Sequence, residues 1–195
     1  MELSEQQKSV VQYLLVKPPR FGLSIVAQYT RLRQGMTTAI FHAALQSNWK
    51  RIYFVGMGRL LKSFTCQEMY ESLKSRMTHV SATSIRKKYE NDSVVIIDMG
   101  HQTIKEFFEF LVQQPYYNSD LHIIATLSLS SMPCPRYFKD IQGGQEVIIN
   151  LLISTKHEKE KNVLDAVNGS DGKIRAHFID QRPKNWNDDW ATVEW

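Results

Sequence analysis

This chain lacks the features that identify membrane, secreted and disulfide-stabilised proteins. No apolar run approaches the roughly 20 residues of a membrane-spanning helix. The polar start, from Met1 to Lys8, has no signal-peptide core. The only cysteines, Cys66 and Cys134, fit no metal or redox spacing, which predicts free thiols in a reducing compartment. We therefore expect an intracellular protein with no membrane partner, no disulfide and no metal site.

The chain also lacks a strong charge imbalance. Its net charge of +4 allows an anionic partner without requiring one. A length of 195 residues suits one domain with a sizeable core, and a hydrophobic content of 43% is that of a soluble globular protein. Repeats and low-complexity segments are absent, and the six histidines are scattered, so we assign no thiol or triad chemistry.

Predicted strands alternate with predicted helices along most of the chain. The apolar spacing predicts helices at 2–15, 37–46, 63–76 and 103–113 and a helical turn at 85–89. It predicts strands at 23–28, 51–55, 79–82, 94–97, 121–127, 147–153 and 173–179. This alternation predicts a mostly parallel sheet with helices on both faces. In such sheets ligands bind beyond the carboxyl ends of the strands.

Two segments combine a predicted strand with polar residues at its carboxyl end. The apolar run 93–97 leads into Asp98, Met99, Gly100 and His101. The strand at 23–28 leads through a loop to Gly35, Met36, Thr37 and Thr38, where a helix begins. A phosphate-binding loop has this order, with Gly-Lys-Ser/Thr opening the helix. Here Met36 occupies the lysine position.

Together these segments resemble the first RecA-like domain of superfamily 2 helicases. The resemblance covers about residues 3–155 and is greatest to the helicase-like ATPases and early transcription factor subunits of large DNA viruses. It rests on the order of the motifs at Leu3 to Gln7, Gly22-Leu23, Arg59 to Phe64, Asp98 to His101, and Ala125-Thr126. It implies a three-layer α/β fold like that of P-loop NTPases.

The resemblance also implies that the residues needed for turnover are missing. In the family Asp-Glu-x-His follows the strand, the aspartate positions Mg²⁺, and the glutamate stands where this chain has Met99. Methionine cannot orient and activate the attacking water. Because Met36 replaces the phosphate-binding lysine, we expect a degenerate nucleotide site with no catalytic residue, no cofactor and no ATPase activity.

Basic residues suggest a nucleic-acid face, although charge runs are usually solvated surface. Arg59 lies in a segment that, by the resemblance, contacts the nucleic-acid backbone. The other candidates for this face are Lys62, Arg86, Lys87 and Lys88, with Lys74 and Arg76 beside them.

Residues 156–195 follow the helicase-like part as a C-terminal extension. Its acidic tail holds three tryptophans, Trp186, Trp190 and Trp195, which would either dock a partner or pack on their own domain. In the family, nucleotide is hydrolysed between the first and the second RecA-like domains. Nothing in this extension resembles the second domain.

The leading hypothesis is therefore a non-catalytic, structural or regulatory subunit with protein partners. By the resemblance, it would act in a viral transcription or particle assembly, in the host cytoplasm or the virion. Two alternatives remain open: a nucleic-acid-binding accessory factor, and the inactive half of an ATPase that a partner completes.

Overall fold

The fold is built on one parallel sheet. The computed structural model describes residues 2–16, 22–28, 35–56, 58–62, 64–80, 89–90, 92–98, 122–128, 164, 167–168 and 174–179. Its helices are α1 (Glu5–Leu15), α2 (Met36–Gln46), α3 (Gly58–Leu61) and α4 (Phe64–Leu73). Its strands are β1 (Gly22–Gln28), β2 (Arg51–Gly56), β3 (Met77–Val80), β4 (Ser93–Asp98), β5 (His122–Ser128) and β6 (Ile174–Phe178).

The strands are arranged in the order β3-β2-β4-β5-β1-β6, and every pair is parallel. The predicted parallel α/β sheet is therefore confirmed, and the 94–97 segment lies in its interior, within β4. The carboxyl ends of β1, β5 and β4 lie side by side, because β5 pairs with both of the others. β6 lies in the 156–195 extension and pairs with β1 in this same sheet.

Helix α1, predicted to begin at residue 2, begins at Glu5 and is capped by Ser4. The Ser4 hydroxyl accepts a hydrogen bond from the Gln7 backbone N–H at 3.2 Å, and the Gln7 side chain accepts one from the Ser4 N–H at 2.9 Å. This reciprocal capping box satisfies two N–H groups that would otherwise lack partners at the helix start. The buried side of α1 consists of Val10, Val11 and Leu14.

One face of the sheet packs against α1, α2 and α4. Alternate strand residues point to this face, as the two-residue period of a strand requires. They join the buried residues of the three helices in a single hydrophobic cluster, in which the rings of Phe41 and Phe54 meet edge to face with centroids 5.3 Å apart. We call this face the helical face.

The opposite face is also withdrawn from solvent. Every residue of β1 and of β4 is buried, including Ile25 and Val95, whose side chains point away from the helical face. Burial on both sides explains why residues 94–97 of β4 form a continuous apolar run rather than an alternating one. The predicted elements at 103–113 and 147–153, and almost all of the one at 85–89, lie outside the described residues.

The carboxyl end of α2 is closed by an arginine distant in sequence. The Arg76 guanidinium donates hydrogen bonds to the carbonyl oxygens of Ala44 (2.5 Å), Leu45 (3.3 Å), Ser47 (3.0 Å) and Trp49 (3.0 Å). Helix ends leave carbonyls without intrahelical partners, and a cation there also interacts favourably with the helix dipole. Arg76 thus fixes the turn from α2 into β2, and its donors are committed within the fold.

Candidate functional site

The residue before α2 has a backbone conformation that favours glycine. Gly35 precedes the helix with φ of 70° and ψ of 32°, a left-handed conformation that strains residues with a Cβ. A Cβ at this position would also lie 2.2 Å from Nε2 of Gln7. That nitrogen donates a long hydrogen bond, 3.5 Å, to the Gly35 carbonyl. The first turn of α1 is therefore packed directly against the start of α2.

Three elements converge on the carboxylate of Asp98. Asp98 is the last residue of β4, and its Oδ1 accepts a hydrogen bond of 2.9 Å from the Thr126 hydroxyl on β5. Its other oxygen, Oδ2, accepts one from the hydroxyl of Thr37, in the first turn of α2. The structure thus brings together three residues that the sequence placed at strand ends or at a helix start. We call Thr37, Asp98 and Thr126 the Asp98 cluster.

Asp98 is buried, with 8% of the residue exposed to solvent. Burial raises its pKa above the ordinary value, and the hydrogen bonds from Thr37 and Thr126 oppose that effect. In the described part of the chain, no lysine or arginine forms an ion pair with Asp98. The described partners of this carboxylate are hydroxyl groups, which stabilise a negative charge less than a cation does.

The two residues beside Thr37 face the interior instead. Met36 is half-buried and packs against the hydrophobic cluster, and Thr38 is buried at 7% exposure. A lysine at position 36 would bring a cation toward phosphate oxygens, whereas the thioether contributes only packing. Among the described residues at the start of α2, 35–38, none carries a positive charge.

The remaining predicted site residues are placed as follows. Met99, His101, Arg86, Lys87, Lys88, Trp186, Trp190 and Trp195 lie outside the described residues. Arg59 lies in α3, and Lys62 is exposed directly after that helix. Lys74 pairs with Glu71 at 3.1 Å.

Sequence reasoning missed a polar network that joins α1 to the sheet. The Arg175 Nε on β6 donates to the Ser24 hydroxyl on β1 at 2.8 Å, and that hydroxyl lies 2.9 Å from Nε2 of His122 on β5. The Arg175 guanidinium also lies 4.5 Å from the ring centre of Tyr13 in α1. The signal available in the sequence was a serine and a histidine inside otherwise apolar strands.

The same network includes a second histidine. The ring of His177 stacks on Tyr13 at 5.0 Å and shares a 2.8 Å hydrogen bond with Ser9. Burial lowers the pKa of His177 and raises the pKa of Tyr13 to about 12, the latter against the opposing charge of Arg175. Both rings are therefore neutral at pH 7, and their contacts fasten α1 to β6.

Within the described residues no group of three histidine, cysteine or carboxylate side chains could hold a metal ion. None of the helices in that part of the chain is long and apolar enough to cross a membrane. No protein-family model, characterised protein or solved structure matches this chain. Its functional interpretation therefore rests on the site geometry and on the motif resemblance.

Proposed function

We propose that this chain is a RecA-like helicase domain that has lost nucleotide hydrolysis and acts as a structural or regulatory subunit. The observation that carries the proposal is the Asp98 cluster. Three residues expected from the helicase resemblance, far apart in sequence, meet at the carboxyl edge of a parallel sheet through specific hydrogen bonds. The lysine and the glutamate that the family uses for hydrolysis are replaced here by Met36 and Met99.

The sheet order supports the helicase-like interpretation. Because β5 lies between β1 and β4, the carboxyl end of β1 lies at the same edge of the sheet as the strand ends that carry Asp98 and Thr126. Ligands of open α/β sheets bind at this edge. The left-handed Gly35 then turns the chain into α2, whose first backbone N–H groups have no side-chain cap. Free N–H groups at a helix start can bind phosphate oxygens, which supports the proposal of a degenerate phosphate site here.

The replaced residues argue against turnover. Loss of the lysine at position 36 removes a charge-assisted contact worth roughly 1.5–3 kcal/mol. Met99 offers no acceptor for a proton and no charge to orient water, which phosphoryl transfer to water requires. Asp98 accepts a hydrogen bond from a threonine hydroxyl on each oxygen, which uses about half of the acceptor sites of its carboxylate.

A domain that keeps its fold but has lost hydrolysis can still bind other proteins through its surface. We therefore assign this chain to a larger assembly with protein partners. The motif resemblance favours a viral transcription or particle complex, in the host cytoplasm or the virion. In such a complex, the Asp98 cluster would stabilise the fold rather than respond to a bound nucleotide.

Phosphate release and calorimetry with Mg·ATP test the loss of chemistry. We expect no hydrolysis by the isolated chain and no heat of nucleotide binding. A turnover near 1 s⁻¹, within the common enzyme range, that disappears in Asp98→Ala would overturn the proposal.

Affinity purification of the tagged chain from its source cells, followed by mass spectrometry, tests the subunit role. We expect a stoichiometric protein partner that is retained when ATP is depleted. A chain that is recovered alone under all extraction conditions would contradict the role, whatever the outcome of the hydrolysis assay.

A further inference from the structure

A cavity opens beside β3, on the far side of β2 from the Asp98 cluster. Its volume is about 940 Å³, at the upper end of the range for sites that hold small organic ligands, so a side chain as large as an indole fits in it. It lies between the α3 segment, helix α4 and the His79 side chain on β3. Because α3 follows the carboxyl end of β2, the cavity lies at the carboxyl edge of the sheet.

The cavity wall offers apolar surface and one hydrogen-bond acceptor. Leu61 is buried, and Tyr70 is half-buried and packs against the hydrophobic cluster, which fixes both side chains at the wall. Nε2 of His79 lies 3.0 Å from the Gly56 carbonyl, which can only accept, so this nitrogen carries the hydrogen. In the neutral ring Nδ1 is then an acceptor. The wall therefore suits an aromatic group that carries one donor.

One positive charge on the wall has no partner among the described residues. Lys62 lines the cavity and is exposed, and no carboxylate in the described part of the chain pairs with it. The Glu71 carboxylate on the same wall pairs with Lys74 at 3.1 Å instead. A free ammonium group beside apolar surface favours an occupant that combines a ring with a carboxylate.

The tryptophan tail, residues 183–195, has that chemistry. Trp190 directly follows Asp188 and Asp189, so an indole and two carboxylates lie within three residues. An indole buries a large apolar area, and its N–H can only donate, so it needs an acceptor when it is buried. These requirements match the apolar wall, the imidazole acceptor and the free ammonium group of the cavity.

The tail is also long enough to reach the cavity from the last described strand. β6 is parallel to the rest of the sheet, so its carboxyl end lies at the same edge as the cavity. β6 and β3 are the outer strands of the described sheet, five spacings of about 4.8 Å apart, which is about 24 Å. The 11 residues from Ile179 to Trp190 span up to about 36 Å when extended.

We propose that the tryptophan tail occupies this cavity in the same chain, with the Trp190 indole against Tyr70 and the two preceding carboxylates toward Lys62. Tethering favours this contact, because a short linker gives an effective concentration on the order of millimolar, at which even a contact with a Kd of about 0.1 mM is formed most of the time. The proposal uses no residue of the Asp98 cluster, so it is independent of the loss of hydrolysis.

Disulfide trapping in the full chain tests where the tail lies. Ala191→Cys in the tail is combined with Gln67→Cys at the exposed wall of the cavity. The matched control combines Ala191→Cys with Gln46→Cys, since Gln46 is also an exposed helix glutamine but ends α2 at the opposite edge of the sheet. Cys134→Ser is included throughout to remove a competing thiol, whereas the native Cys66 is buried.

Oxidation at micromolar protein concentration, followed by peptide mass spectrometry, measures the rate of each cross-link. We expect the Gln67 pair to form at least about tenfold faster than the Gln46 pair, because docking holds the tail near the cavity alone. Equal rates would show that the tail samples the whole surface and would overturn the proposal. A cross-link between two chains, seen as a dimer on a non-reducing gel, would assign the cavity to the tail of a second copy and also overturn it.

Trp190→Ala in the trapping variant tests the indole contact. We expect the Gln67 cross-link to form at least about fivefold more slowly, because the tail loses the apolar area that it buries. Trp186→Ala is the matched control and should change the rate less than about twofold, since the seven residues from Ile179 would have to be fully extended, to about 23–25 Å, to bring Trp186 there. Equal slowing by both substitutions would contradict a defined position for Trp190.

Lys62→Glu tests the charge contact against Lys50→Glu, the same change at an exposed position before β2. We expect the Gln67 cross-link to slow about threefold in Lys62→Glu, as for an exposed ion pair, and by less than about 1.5-fold in Lys50→Glu. An unchanged rate in Lys62→Glu would contradict the contact. This comparison leaves Trp190 in place, so it still tests the proposal if Trp190→Ala does not fold. None of the substitutions touches the Asp98 cluster, so their failure is distinguishable from that of the ATP hydrolysis test.

Discussion

The hydroxyl of Thr37, in the first turn of α2, donates a hydrogen bond to the buried carboxylate of Asp98 at the end of β4. The two residues are 61 positions apart, so this bond joins a helix start to an interior strand that is distant in sequence. Thr126 donates to the other oxygen of the same carboxylate at 2.9 Å. The three side chains form one hydrogen-bonded unit, and their energetic contributions should be coupled.

Removing the Asp98 carboxylate should destabilise the fold. Asp98→Ala leaves the hydroxyls of Thr37 and Thr126 without their acceptor, which should cost about 1–3 kcal/mol of unfolding free energy. Asp98→Asn keeps an acceptor and should cost less. Urea unfolding at pH 7 measures both variants. Equal stability of the wild type and Asp98→Ala would show that the cluster contributes nothing to folding.

The pH dependence of stability should show the raised pKa of Asp98. In the pH window between the unfolded-state pKa, about 3.9, and the higher folded-state pKa, the folded chain binds more protons than the unfolded chain. The Asp98 contribution to stability is therefore greatest at low pH and falls as the pH rises through the folded-state value. The unfolding free energy of the wild type minus that of Asp98→Asn should decrease over this window. A difference that increases with pH would contradict the sign.

A side chain at position 35 should strain the start of α2. Gly35→Ala places a Cβ in a left-handed backbone, at a cost of about 1–2 kcal/mol, and against Nε2 of Gln7. The double variant with Gln7→Ala should recover the part of the loss that comes from this collision. A double-mutant cycle by thermal unfolding separates the two terms. Strict additivity would show that Gln7 and Gly35 are not in contact.

Replacing Arg76 should loosen the end of α2. Arg76→Lys removes the planar guanidinium that reaches four carbonyls, and about 2 kcal/mol should be lost. Lys74→Met, which breaks only an exposed ion pair with Glu71, is the matched control and should change stability by less than about 1 kcal/mol. Similar losses in the two variants would contradict a special role for Arg76.

The tryptophan tail gives the fifth prediction. Segments that stay unfolded are poor in aromatic residues, and Trp186, Trp190 and Trp195 lie within ten residues. Deletion of residues 183–195 should therefore lower the melting temperature or remove a partner. A lower melting temperature with all partners retained indicates an internal cover, and the reverse indicates a docking segment. If neither changes, the tail has neither role.

The sequence predicted those features that depend on neighbouring residues. The helix predicted at 2–15 is present as α1, although it begins three residues later, at Glu5. The apolar run 94–97 predicted an interior strand, because only burial on both faces tolerates such a run. The position of the Asp98 cluster followed from strand ends that share one edge of a parallel sheet.

Contacts between distant residues were beyond the reach of local patterns. The carbonyls that Arg76 binds lie 27 to 32 residues earlier in the chain. A prediction from hydropathy alone would place this arginine on the surface like any other cation. Nε2 of His79 on β3 likewise lies 3.0 Å from the Gly56 carbonyl on the neighbouring strand β2. Apolar spacing predicts where strands lie along the chain but not which of them are adjacent.

The pairing of β6 with β1 has a consequence during synthesis. β1 is synthesised well before β6, the strand that pairs with its outer side and the last described strand of the chain. Until residues 174–178 emerge from the ribosome, this mostly apolar strand presents unpaired backbone groups on its outer side, which invite pairing with other nascent chains. Cells that make this protein would therefore benefit from holding its nascent chain with a chaperone, and products that stop before β6 would tend to aggregate rather than persist as smaller domains.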